Sequence, residues 1–150
     1  HGMMLAANRI MVLITYSVMH SLTFWRYRFS ATLLVQLSAL TGLILLTYSR
    51  TVIFLTIGLI LFALLTGFNY FSSIFYSTTS FSWDRQGIAS GLHEASLAFG
   101  FAGGAFGGGI VGLWLGSRVP YQMVAVVLVL TALIQFWVYI NMRRRQDLRD

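Results

Sequence analysis

The 150-residue chain is 57% hydrophobic and only 9% charged, with one proline and a mean hydropathy of +0.77, which excludes an ordinary soluble domain. Its formal net charge of +6 comes from ten basic residues, all arginine, against four acids; they stand singly or in short runs at the ends of apolar stretches, the pattern of membrane loops and not of a nucleic-acid surface. Cysteine is absent, which excludes a disulfide frame and a thiolate metal site, and His1, His20 and His93 are not spaced as metal ligands.

At about 20 residues per span the chain holds about five spans and no separate soluble domain. The opening HGMM lacks an initiator methionine, and no basic segment precedes an apolar core and cleavage site, so no signal peptide is visible. His1 and Gly2 read as an expression scar, or as a cut in something longer. The first span is expected over residues 3–25, with Tyr16, His20 and Thr23 on one face turned to protein; His20 reads as a buried hydrogen-bonding partner before a proton carrier. The second, residues 29–48, is leucine-rich with scattered Gln36, Ser38, Thr41 and Gly42 and suggests no chemistry. A turn at Ser49, Arg50 and Thr51 is short enough to require an antiparallel neighbour.

The third span is expected over 52–76. In it Phe62, Thr66, Asn69, Ser73 and Tyr76 recur at spacings of four, three, four and three, an aromatic and polar stripe on one helical face. Such a stripe suits the wall of a cavity for a neutral or amphipathic organic solute, since each group orients a ligand without fixing a buried charge. Ordinary interhelical hydrogen bonding accounts for it equally well. In the loop from Ser77 to Gly87, Trp83 is expected as an interfacial anchor and Asp84 as the N-cap of the next helix.

The fourth span, 88–115, carries the densest glycine run, with Gly100, Gly104, Gly108, Gly112 and Gly116 four apart and a second register at Gly103 and Gly107. In water each glycine disfavours helix by about 1 kcal/mol relative to alanine, but in lipid the backbone must satisfy its own hydrogen bonds. The run is therefore expected as a helix-packing seam. A phosphate-cradling loop is the alternative, and it lacks the preceding strand and the lysine. The fifth span, 121–140, follows GSRVPYQ with Pro120 in its first turn, and residues 141–150 form a polar tail led by Arg143, Arg144 and Arg145.

Glu94 is the only acid inside an apolar segment. Placing it one to two turns inside a span costs about 2 to 3 kcal/mol on insertion scales, so a partner and a role are expected. Three readings remain open: an intracellular gate paired with Arg85 or with an arginine outside this chain, proton coupling with His93 nearby, or a carboxylate in the headgroup layer. Adjacent helical residues do not face each other, so His93 and Glu94 need not form a dyad.

With alternating spans, Arg26, Arg28, Arg85, Arg143, Arg144, Arg145 and Arg149 fall on one side and Arg9, Arg50 and Arg118 on the other. The bias puts the C-terminal tail in the cytoplasm. The start then lies outside, so the chain reads as part of something longer, in the plasma (cytoplasmic) membrane.

This pattern resembles the C-terminal part of a major facilitator superfamily transporter, covering its eighth to twelfth spans. The resemblance is carried by Arg85, Gly87 and Gly91 ahead of the fourth span, and by Gly100, Gly104, Gly108 and Gly109 within it, where Ala105 replaces a common proline. The arginine-rich tail and the basic loop between the first two spans agree as well. HSLTFWRYRF keeps Arg26 and Arg28 but lacks the glycine and aspartate usual in that family's loop. The resemblance implies a cavity-lining third span, and a fourth span at the seam where two six-helix halves rock around a midplane site.

The expected protein is an all-α polytopic helix bundle, the C-terminal part of a secondary transporter of a small organic solute. It works by alternating access with an N-terminal half, with the lipid bilayer as its other partner. No cofactor, metal, covalent chemistry or nucleic acid is implied. The alternative is a complete five-span protein acting as an assembly module through the glycine-rich face.

Overall fold

A computed structural model describes residues 2–80, 82 and 85–147, with side chains described as far as Arg144. The described residues form helices α1 (Gly2–Ser21), α2 (Phe29–Tyr48), α3 (Val52–Thr79), α4 (Gln86–Leu115) and α5 (Val119–Asp147). All five are long and apolar enough to cross a membrane, and the protein is an all-α integral membrane bundle. Its length and hydropathy force this outcome, because a spanning backbone must pair its amides internally.

Contacts between the connections fix the alternation. The loop after α1 reaches the C-terminal end of α3, where the Tyr27 amide donates to the Tyr76 hydroxyl at 2.9 Å. The turn after α4 reaches the turn after α2, where Arg118 Nη2 donates to the Ser49 carbonyl at 3.4 Å. Helices α1, α2 and α3 form the packed part, α5 lies against α2, and α4 makes lighter contact with α3 and α5. The buried residues of α2 and α3 include Ala39, Gly42, Leu43, Gly58, Ala63, Gly67 and Phe68, whereas α4 has no buried residue.

Several boundaries differ from the sequence reading. The first helix ends at Ser21, not near Trp25, so Thr23 does not share a helical face with Tyr16 and His20, and His20 is exposed. Trp25 folds back beneath the end of α1 and is 2% exposed. Its Nε1–H donates to the Met19 carbonyl at 2.9 Å, satisfying one of the acceptors that a helix C-terminus leaves open. The Trp25 ring meets Phe68, Phe71, Phe75 and Tyr76 edge-on at centroid distances of 5.2–6.2 Å. The reversal places Tyr27 at φ 56°, a left-handed conformation that costs a bulky residue energy and is held here by the bond to Tyr76.

Residues 141–147, expected in a polar tail, continue α5 instead. No proline or glycine interrupts them, and arginine and glutamine are good helix formers. Pro120 stands in the first turn of α5 as expected. Gly116, read from sequence as the last of the glycine row, ends α4 at φ 104°, a conformation that favours glycine. Arg85 occupies the N-cap position of α4 without a side-chain cap bond; the roles expected of Asp84 and Trp83 lie outside the described residues, as do the side chains of Arg145 and Arg149.

Candidate functional site

The polar stripe of α3 is distinct from its buried face. None of Phe62, Thr66, Asn69, Ser73 and Tyr76 is among the buried residues of that helix, and Asn69 is exposed. The Thr66 hydroxyl donates to the Phe62 carbonyl at 3.3 Å, the usual back-bond of a helical threonine. The Asn69 carbonyl accepts from the Ser72 hydroxyl at 3.2 Å. Tyr76, at the end of the stripe, is engaged by the α1–α2 loop: its hydroxyl accepts from Tyr27, and its ring lies 5.4 Å from that of Tyr27. Of the other four members Asn69 is exposed, and Phe62, Thr66 and Ser73 are half-buried.

Beside that stripe, α4 brings its two titratable residues to Tyr70. The Tyr70 hydroxyl donates to Glu94 Oε1 at 3.2 Å, and the Tyr70 ring lies 5.8 Å from the His93 ring. On its other side Tyr70 stacks on Tyr16 of α1 at 5.6 Å. His93 Nδ1 stands 3.6 Å from Glu94 Oε1, an ion pair whenever the imidazole is protonated. The pair therefore does converge, because both side chains bend toward Tyr70 although their helical directions diverge. The Glu94 side chain is 58% exposed and that of His93 15%. Arg85, at the N-cap position of α4, stands nine residues before Glu94, about 13 Å along the axis.

The expected seam on α4 lies open. A Cβ placed at Gly100, Gly103, Gly104 or Gly107 would meet nothing within 4 Å, and at Gly108 or Gly112 it would meet only Pro120, at 4.0 and 3.7 Å. Gly104, Gly107 and Gly108 line one wall of a 340 Å³ cleft whose other wall is Pro120, Met123 and Val124 of α5. Phe99 and Phe106 of α4 are 82% and 75% exposed.

Three features escaped the sequence reading. Tyr70, which gathers the cluster, sits one position off the stripe and was legible only as the neighbour of Asn69. The amide of Gln36 donates to Gln135 Oε1 at 2.7 Å between α2 and α5; both were visible as polar residues in apolar spans, but their pairing was not. The tightest glycine contact joins Gly42 to Gly58, one glycine on each of two helices, with no run to mark it. No protein-family model, curated protein or solved structure matches the chain.

Proposed function

We propose that the chain forms part of a secondary transporter, of the major facilitator type that the sequence resembles, moving a small organic solute by alternating access. The carrying observation is that Asn69 of α3 and Glu94 of α4, the latter bonded to Tyr70, lie about two turns or more inside apolar helices and are exposed. An amide and a carboxyl group at that depth are costly against lipid. They therefore face a water-filled path or another part of the transporter.

In this reading the stripe Phe62, Thr66, Asn69 and Ser73 contacts solute, and Glu94 with His93 gates or couples the movement. The open row at Gly100, Gly104, Gly108 and Gly112 receives the N-terminal half with little side-chain bulk between the backbones. The arginine bias puts the C-terminal end of α5 on the cytoplasmic side of the plasma membrane. No covalent step and no cofactor is involved.

The test is transport by the complete protein in proteoliposomes against a panel of neutral and amphipathic solutes. Asn69→Ala is expected to change solute affinity, and Glu94→Gln to lower turnover with assembly retained. Unchanged transport in both variants would reject the assignment. The open glycine row also favours a second reading, an assembly module that binds partner helices. That reading expects Gly104→Leu to dissolve a complex and Asn69→Ala to do nothing.

A further inference from the structure

An apolar cleft of 320 Å³ runs between α1 and α2 with α3 as its floor, lined among others by Ile14, Val18, Met19, Trp25, Leu34 and Phe68. Its rim is open: Ile14, Val18 and Leu34 are 49%, 43% and 68% exposed. At one end the chain reverses through Trp25, Arg26, Tyr27 and Arg28, so two arginines follow directly on Trp25 of the cleft wall without lining the cleft themselves. Arg28 occupies the N-cap position of α2, three residues before Ala31 in the cleft wall, and is exposed. Arg26 lies over the rings of Phe75 and Trp25, its guanidinium carbon 4.7 and 5.9 Å from their centroids. Its Nε is buried with no hydrogen-bond partner among the described residues.

We infer that this cleft holds one acyl chain of an anionic phospholipid, whose headgroup phosphate is bound by Arg26 and Arg28. Each part of the ligand answers a separate observation. The walls carry almost no polar surface, which suits a hydrocarbon chain and disfavours a polar solute. The exposed Arg28 and the half-buried Arg26 suit an anionic acceptor at the depth of the headgroups, since arginine is suited to phosphate; the Arg26 Nε itself is covered by protein, so its outer guanidinium nitrogens are the ones that would reach it. The loop also belongs to the arginine-rich side of the bundle, where anionic lipids are attracted by about 1 kcal/mol per basic residue near the surface. The site is independent of the transport proposal, because none of the stripe residues lines the cleft.

Trp25 in the cleft wall reports occupancy directly. The parent for the test carries Trp83→Phe, Trp114→Phe and Trp137→Phe, leaving Trp25 as the sole tryptophan, and is reconstituted with phosphatidylglycerol or phosphatidylcholine brominated near the carboxyl end of the acyl chain. Phosphatidylglycerol is expected to quench Trp25 at a mole fraction lower by about fivefold for each contributing arginine. Arg26→Gln combined with Arg28→Gln should abolish that preference while quenching by phosphatidylcholine persists. Arg28→Gln alone, at an exposed side chain that folding does not require, should remove about fivefold. Equal quenching by the two lipids in the parent, no quenching by either, or a preference that survives both substitutions would overturn the assignment.

Discussion

Gly42 of α2 and Gly58 of α3 face each other so closely that a Cβ at position 42 would fall 2.6 Å from the Gly58 carbonyl oxygen, and one at position 58 would fall 2.8 Å from that of Gly42. Each clash is with backbone, which cannot swing aside. The contact joins the two most extensively packed helices of the bundle, so the alignment of α2 on α3 depends on two missing methyl groups. Gly42→Ala or Gly58→Ala should therefore lower stability by about 1 to 3 kcal/mol, as overpacking does. Unfolding of the reconstituted chain by a denaturing detergent would measure it, and an unchanged midpoint would mean that α2 and α3 can separate freely.

The α4 row predicts the opposite behaviour. Because Gly104 has open space where a side chain would go, Gly104→Leu should leave the same unfolding midpoint within about 0.5 kcal/mol, the range of substitutions away from packed features. If a partner helix is received on this face as proposed, Gly104→Leu should nevertheless weaken that association, read as loss of the larger species on size-exclusion chromatography of solubilised membranes. Equal loss of stability in Gly104→Leu and Gly42→Ala would show that α4 packs inside this chain after all.

Gln36, 5% exposed, holds α5 to α2 through Gln135. Hydrogen bonds between membrane helices contribute about 0.6 to 2 kcal/mol. Gln135→Ala strands the Gln36 amide against hydrocarbon and is expected to cost that amount. The double variant Gln36→Leu with Gln135→Leu removes both partners and should recover most of the loss. A cross-linking yield between cysteines introduced into α2 and α5 would follow the docking.

Tyr70→Phe removes the hydroxyl that donates to Glu94 at 3.2 Å and keeps the ring stacked on Tyr16 and beside His93. If the cluster couples or gates transport, turnover should fall several-fold while solute affinity stays unchanged. Asn69→Ala should show the reverse pattern. Both kinetic constants measured in proteoliposomes separate the two roles, and a shared pattern would mean that the stripe and the cluster act as one surface.

Trp25→Ala should destabilise the α1–α2 reversal by about 3 to 5 kcal/mol, the range for deleting a packed aromatic. The ring is 2% exposed, and its indole N–H caps the Met19 carbonyl. Proteolysis within the Trp25–Arg28 loop would report the loosening.

Composition and the spacing of apolar runs determined, by themselves, that this protein crosses a membrane as five helices. Lipid permits few other ways to satisfy a backbone, so hydropathy and length suffice. The polar stripe and the isolated Glu94 were equally legible, since chemistry that is out of place in an apolar helix announces itself residue by residue. Tertiary structure alone decided the pairings. Nothing in the sequence says that Tyr70 would collect His93 and Glu94, that Gln36 would find Gln135, or that single glycines on α2 and α3 would meet while the dense row on α4 stayed uncovered. Helical periodicity fixes which residues share a face. Which face meets which neighbour depends on packing among all five helices at once, a property of the assembled bundle and of no single stretch.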